Sequence, residues 1–177
     1  KNVLLLSNTQ SSLVQTAFYG GYCFMAIPAA IFIKRFSYKS GILMGLALYV
    51  TGCLLFVPAG GMQQFAPFLA AYFIMTCGLS FLETTANPYV LSMGSEITAT
   101  RRLNLAQAFN PIGSITGMFV AKEFILARLD ATSEAERRVL WETNRPEFDA
   151  IAQSDLGVIT GPYVILGVVV AVVFGIF

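Results

Sequence analysis

Residues 66–92 read APFLAAYFIMTCGLSFLETTANPYVLS and contain one charged side chain, Glu83. A helix of this length rises roughly 40 Å, which is enough to cross a hydrocarbon core of about 30 Å. Pro67 falls in the expected first turn, where its missing N–H leaves no helical hydrogen bond unmade. The stretch therefore predicts a transmembrane helix with an acidic group near its middle.

Similar apolar blocks lie on both sides of this stretch. Apolar residues make up 56% of the 177-residue chain and charged residues only 12%, which is typical of a membrane protein and not of a soluble domain. We predict an all-α membrane protein with a polar connection at residues 128–157. Within that connection Ser133 and Glu136 have capping-box spacing, which predicts a short surface helix. The five predicted spans are residues 10–33, 40–58, 66–92, 103–127 and 158–177.

The charged residues between the spans predict the orientation in the bilayer. Basic residues occupy two short connections, the first with Lys34, Arg35 and Lys39 and the third with Arg101 and Arg102. Short basic loops stay on the cytoplasmic side. The connection at residues 58–65 has no Lys or Arg, and residues 128–157 carry four Arg against seven acidic residues. We expect both of these connections to be external.

The composition also argues against several kinds of site and partner. There is no histidine, and the three cysteines have neither disulfide nor metal-site spacing, so we expect no metal and no cofactor. The net charge is +1 and the basic residues are scattered, so no nucleic-acid partner is expected. The expected partner is the lipid bilayer. Because the chain has no histidine, any proton chemistry must use a carboxylate.

Glu83 is the only one of ten acidic residues that falls near the middle of an apolar span. A carboxylate there is costly when charged, so it faces a cavity or a partner and marks an ion or proton pathway. The alternative is a permanently protonated or paired glutamate that only ties helices together. Asn87 lies one turn later on the same face, just before Pro88, and a polar pocket is therefore predicted.

A second polar stripe lies in the fourth span, where Asn104, Gln107 and Asn110 follow at three-residue intervals on one slowly drifting face. Amide side chains both donate and accept hydrogen bonds, as sugar hydroxyls do. The stripe therefore favours an uncharged, hydroxyl-rich ligand. Interhelical hydrogen bonding is the alternative.

The first span adds a third polar face, formed by Gln15, Tyr19 and Tyr22. Aromatic side chains with polar tips are common in carbohydrate sites, and packing or an interfacial aromatic belt is the alternative for the two tyrosines. We expect Gly20 and Gly21 to permit close helix contact and not to bind a ligand.

Two motifs resemble those of the fucose/galactose/glucose proton symporters in the major facilitator superfamily: LETTANPY at residues 82–89 and RLNLAQAFN at residues 102–110. The stretches LVQTAFYGGY at residues 13–22 and FSYKSG at residues 36–41 look like the same family, so the resemblance covers nearly the whole chain. The glutamate ahead of Ala-Asn-Pro favours the fucose permease branch.

The resemblance implies a twelve-helix protein in two six-helix halves, of which this chain would supply helices two to six of the N-terminal half. Helix one, with a further coupling carboxylate, and the C-terminal half would lie outside this sequence. By the same resemblance Glu83 would be the protonatable group, Gln107 and Asn110 the sugar-binding amides, and Asn87 their neighbour.

The function implied by the resemblance is proton-coupled uptake of L-fucose or a related hexose across the bacterial cytoplasmic (inner) membrane. Protons would be the coupling ion, with no cofactor. A proton-linked exporter or a passive facilitator of the same fold would share these spans. A membrane enzyme or a structural subunit is less well supported, because no nucleophile–base pair, metal cluster or cofactor loop appears among the spans.

Overall fold

The computed structural model describes residues 3–177, and every regular element in that range is helical. The all-α fold is therefore confirmed. The elements, in chain order, are α1 (Asn8–Arg35), α2 (Tyr38–Met62), α3 (Phe65–Ser92), a 3-10 turn (Glu96–Thr98), α4 (Ala99–Gln107), α5 (Phe109–Val120), a π-helical turn (Ala121–Ile125), a second 3-10 turn (Leu126–Arg128), α6 (Glu134–Thr143) and α7 (Arg145–Ile176).

The three N-terminal helices lie within a few residues of the first three predicted spans. The Ser7 hydroxyl accepts from the N–H of Gln10 at 3.1 Å, and the Gln10 side chain accepts from the N–H of Ser7 at 2.9 Å, a reciprocal cap that starts α1. Ser37 caps α2 through the N–H of Ser40 at 3.1 Å. Within residues 3–177, four helices are long and apolar enough to cross a membrane, namely α1, α2, α3 and α7.

The predicted fourth span, residues 103–127, is helical along its length but is not one regular α-helix. The structure divides it among α4, α5, the π-helical turn and the second 3-10 turn. Pro111 explains the first interruption, because it has no N–H to offer the carbonyl of Gln107 and its ring crowds that carbonyl. The α-helical hydrogen-bond pattern is accordingly interrupted at Ala108, between α4 and α5, although the backbone of Ala108 stays in the right-handed helical region.

The polar connection predicted at residues 128–157 is also largely helical, so the prediction of a loop is wrong there. The short helix expected from the capping box is confirmed as α6: the Ser133 N–H donates to the Glu136 carboxylate at 2.8 Å, and the Glu136 N–H donates to the Ser133 hydroxyl at 3.3 Å. Hydrogen bonds from the N–H and the hydroxyl of Ser133 to the carboxylate lower the pKa of the Glu136 carboxyl. The outward location of this segment stays a prediction.

The last helix begins at Arg145 and not near residue 158. Hydropathy marks only its apolar second half, but Phe148, Ala152 and Leu156 recur every four residues and are buried on one face. Packing of that face keeps the polar first turns helical.

A buried ion pair attaches α6 to α7. Arg137 and Asp155 are 2% and 1% exposed, and Nη2 of Arg137 lies 2.6 Å from Oδ2 of Asp155. Oδ1 of Asp155 accepts from the N–H of Asp130 at 2.8 Å, and Nε of Arg137 donates to the carbonyl of Thr132 at 3.1 Å. Hydrogen bonds from Thr132 lower the pKa of the Asp130 carboxyl. The polar segment is thus a folded cap and not a loose loop.

The α2–α3 interface is a close backbone contact made possible by glycine. A Cβ added at Gly52 would lie 2.5 Å from the backbone of Met75, and one added at Gly78 would lie 2.5 Å from the N of Tyr49. Gly21 on α1 likewise approaches α3, since its added Cβ would lie 3.0 Å from Thr76. The expected close contact at Gly21 is therefore present. Helix α3 consequently lies between α1 and α2.

Candidate functional site

Glu83 lies on α3, on the side that meets α1. The Tyr22 hydroxyl donates to Oε1 of Glu83 at 3.1 Å, and the Ser80 hydroxyl donates to the carbonyl of Tyr22 at 3.3 Å. The Glu83 residue is exposed, and no Lys or Arg within residues 3–177 forms an ion pair with it. The carboxylate is therefore held by a neutral hydroxyl on an open face.

A small pocket lies beside this pair along α1. Its volume is about 260 Å³, and it is lined by Val14, Gln15, Phe18, Tyr19 and Tyr72. The Phe18 ring joins the pocket to the glutamate's partner, because its centroid lies 5.1 Å from that of Tyr22. The structure thus brings Gln15, Tyr19, Tyr22 and Glu83 to one side of the α1–α3 pair.

Asn87 lies one turn beyond Glu83 and is partly exposed. Its side chain makes no hydrogen bond to any residue that the structure describes. It extends the polar face of α3 without completing a closed pocket.

The amide stripe lies on a different part of the chain. Asn104 and Gln107 are on α4 and Asn110 is on α5, and all three are exposed and form no side-chain hydrogen bond within residues 3–177. The structure does not place them in a common closed cavity with Glu83. Within the described chain these three amides also have no partner for interhelical hydrogen bonding, which was the alternative interpretation.

Sequence reasoning missed part of the α3 face. Thr76 and Ser80 are each 1% exposed, and Tyr72 lines the small pocket. A periodicity could have revealed them, because polar residues on α3 follow at intervals of four, four, three and four, which keeps them on one face. These residues are Tyr72, Thr76, Ser80, Glu83 and Asn87. The Arg137–Asp155 pair had no such signal, since its members lie in different helices.

The four long apolar helices and the polar face of α3 fit a multi-pass membrane protein, and the family comparison agrees. The model of the Major Facilitator Superfamily matches residues 2–177. The chain belongs to this superfamily and is part of a multi-pass membrane protein.

Comparison with individual proteins identifies a narrower group within the superfamily. The chain is 52% identical over 176 residues to the L-fucose-proton symporter of Haemophilus influenzae, covering 98% of this chain and 41% of that protein. It is 44% identical over 137 residues to a glucose/galactose transporter of Brucella abortus, covering 77% of this chain and 33% of the relative. The predicted resemblance to fucose permeases is confirmed.

Solved structures agree with the sequence comparison. The crystal structure of the major facilitator transporter FucP in the outward conformation superposes with a TM-score of 0.81 at 38% identity, covering 97% of this chain and 42% of that chain. A variant of the Escherichia coli fucose:proton symporter gives a TM-score of 0.83 at 36% identity, covering 99% and 44%. The chain thus spans about two fifths of the length of these relatives.

Proposed function

We propose that a full-length protein containing this chain takes up L-fucose or a related hexose together with a proton, across the bacterial cytoplasmic (inner) membrane. The observation that carries the proposal is the Glu83 carboxylate, which is bonded to Tyr22 beside a small pocket. The relatives support it, because one that is 52% identical is an L-fucose-proton symporter. Helix one and the second six-helix half would complete the carrier. We propose neither a cofactor nor an enzymatic activity.

Glu83 is the proposed proton carrier. An ionised carboxylate in a closed, dry cavity is disfavoured, whereas its protonated form is tolerated. Protonation therefore makes the loaded carrier easier to occlude, and the two halves then rock around the central site. Tyr22 keeps the carboxylate turned toward the site, because its hydroxyl can donate to the ionised form and accept from the protonated form.

The sugar is proposed to bind between the polar face of α1 and α3 and the amide stripe. The pocket of about 260 Å³ is near the lower end of the ~300–1,000 Å³ that is usual for small-molecule sites, which suits a small solute. Gln15 and Tyr19 line it. The proposed sugar ligands, from the pocket to the stripe, are Gln15, Tyr19, Tyr22, Asn87, Asn104, Gln107 and Asn110.

The decisive variant is Glu83→Gln in the full-length protein, reconstituted in vesicles. Exchange of labelled sugar across the membrane should survive, because glutamine resembles the protonated carboxyl. Uptake driven by a pH gradient should be lost. The matched control is Glu96→Gln, which changes an exposed glutamate in the 3-10 turn after α3 and should leave both activities intact. Unchanged gradient-driven uptake in Glu83→Gln would reject the proton role.

The amide stripe has its own test. Gln107→Ala and Asn110→Ala should each weaken sugar binding to the purified protein. An unaltered dissociation constant in both variants would remove these amides from the site.

A second substrate class is supported by the relatives named as glucose/galactose transporters. Competition of L-fucose, D-glucose and D-galactose against labelled substrate separates the two. If D-glucose and D-galactose compete and L-fucose does not, glucose/galactose transport replaces L-fucose transport as the proposed function. Uptake that is indifferent to a pH gradient in the wild type would favour a passive facilitator of the same fold.

A further inference from the structure

The Arg102 side chain bonds to three parts of the chain at the junction of α3 and α4. Its Nε donates to the carbonyl of Val90 at 3.3 Å, and its Nη2 donates to the carbonyl of Leu91 at 3.1 Å. Its Nη1 donates to the carbonyl of Ser95 at 3.0 Å and to the hydroxyl of Thr98 at 2.6 Å. One guanidinium thus holds the end of α3, the following turn and the approach to α4.

Of the three carbonyls, only that of Leu91 has no other partner within residues 3–177, since the carbonyl of Val90 also accepts from the N–H of Met93 at 3.4 Å and that of Ser95 from the N–H of Thr98 at 3.2 Å. The last carbonyls of a helix have no partner within the helix, and a cation is favoured there by the helix dipole. A guanidinium presents five donors in a rigid, planar fork, so it fixes the relative positions of its acceptors as a lysine cannot. The turn itself passes through Gly94 at φ +78°, a conformation that suits glycine.

The helices after the junction have little else to hold them in the described chain. Every residue from 104 to 119 is exposed, so α4 and α5 have no buried face of their own within residues 3–177. Within the described chain, their direction relative to α3 therefore depends on the connection at residues 93–98, on the side chain that organises it, and on the contact of the following π-helical turn with α7. The three predicted sugar amides lie on these helices, within eight residues after Arg102.

We propose that Arg102 is a positioning residue for the sugar site: it fixes the direction and rotation of α4, and so aims the amide stripe at the face that carries Glu83. The proposal rests on the proposed sugar-transport function. The neighbouring Arg101 is exposed and has no hydrogen bond or ion pair within residues 3–177, so it provides a matched control.

The experiment compares Arg102→Lys with Arg101→Lys in the purified full-length protein, both of which keep the positive charge. Arg102→Lys should raise the sugar dissociation constant, and the KM of sugar exchange, about tenfold, since small misplacements of binding groups are costly. The kcat of exchange and the thermal midpoint should change little. Arg101→Lys should match the wild type in every measurement.

A milder variant keeps the test valid if Arg102→Lys folds poorly. Thr98→Val removes one acceptor of the guanidinium with little change in shape, and it should raise the sugar dissociation constant less than Arg102→Lys does. In the Arg102→Lys background the same change should have a smaller effect than in the wild type, because the bond to the guanidinium is already lost and only the hydroxyl's bond to the carbonyl of Ser95 is still removed. Effects that multiply in the double variant would contradict the proposal.

A distance measurement separates failure of this inference from failure of the proposed function. Spin labels at Met62→Cys on α2 and Ile115→Cys on α5, in a cysteine-free background, report the direction of α5 without any sugar. The distance distribution should broaden or shift in Arg102→Lys and not in Arg101→Lys. If the distances and the sugar affinity both stay unchanged, or if the distances change while the affinity does not, the positioning role is overturned. If the wild type binds no sugar, the proposed function is rejected. If the distances in Arg102→Lys are then also unchanged, the positioning role of Arg102 is overturned as well.

Discussion

Replacing Gly52 by alanine tests the close contact between α2 and α3, the helix that carries Glu83. An added Cβ at Gly52 would lie 2.5 Å from the N and Cα of Met75, whereas ordinary contacts begin near 3.4 Å. Because these are backbone atoms, no side-chain rotation relieves the clash, and the helices must separate locally by roughly 0.9 Å, the difference between the two distances. We expect the free energy of unfolding to fall by about 1–3 kcal/mol.

Gly61→Ala is the matched control, since Gly61 lies on the same helix and an added Cβ there meets nothing within 4 Å. Alanine is favoured over glycine in a helix by about 0.5–1 kcal/mol, so this variant should equal or exceed the wild type. The assay is thermal unfolding of both variants of the full-length protein in detergent. If Gly52→Ala melts at or above the wild type, and so behaves as Gly61→Ala does, the close-contact reasoning is refuted.

Three further predictions follow from particular contacts. Tyr22→Phe removes the hydroxyl that orients the α3 carboxylate, and gradient-driven uptake should fall about threefold to tenfold while Tyr38→Phe, whose ring contact needs no hydroxyl, should not change it. Asp155→Asn removes the close counter-charge of the buried Arg137, leaving only Asp130 at 3.8 Å, and should lower the free energy of unfolding by about 3–5 kcal/mol. Asp149→Asn, in an exposed pair, should cost less than about 1 kcal/mol, and equal melting of the two variants would contradict this. The pKa of the Glu136 carboxyl is lowered in the folded protein, so the cap that it forms stabilises α6 above the ordinary glutamate value of 4.5 and is lost as the pH falls below that value. Amide exchange in α6, corrected for intrinsic rates, should therefore accelerate at acid pH. Equal protection of α6 at neutral and acid pH would contradict this.

The spans were predictable from sequence wherever hydropathy and helix formation coincide. Residues 66–92 are mainly apolar and carry a single charged side chain, and α3 begins and ends within one residue of that range. The start of α7 was missed because its first turns are polar and are held by packing of Phe148, Ala152 and Leu156, which no hydropathy window reports. The break at Ala108 depends on one proline, whose effect ranges from a mild bend to an interruption.

The candidate site was predictable as a set of residue types but not as a geometry. Glu83 is recognisable in the sequence because a single acidic residue in an apolar span is costly when charged and therefore indicates a functional site. Its partner Tyr22 is 61 residues away in sequence, and only the packing of α1 on α3 brings the two together. The Arg102 contacts could not be predicted either, because its acceptors are mostly backbone carbonyls, and these leave no residue pattern in the sequence.

The most direct test of the central claim is proton uptake on sugar binding. Sugar is added to the purified full-length protein in weakly buffered solution, across a series of starting pH values, and the pH change is recorded for the wild type and for Glu83→Gln. Because linkage is reciprocal, a carrier whose protonated form binds sugar more tightly must take up protons when sugar binds. The wild type should therefore raise the pH of the solution on sugar addition and Glu83→Gln should not. Equal proton uptake by the two proteins would contradict the role given to Glu83.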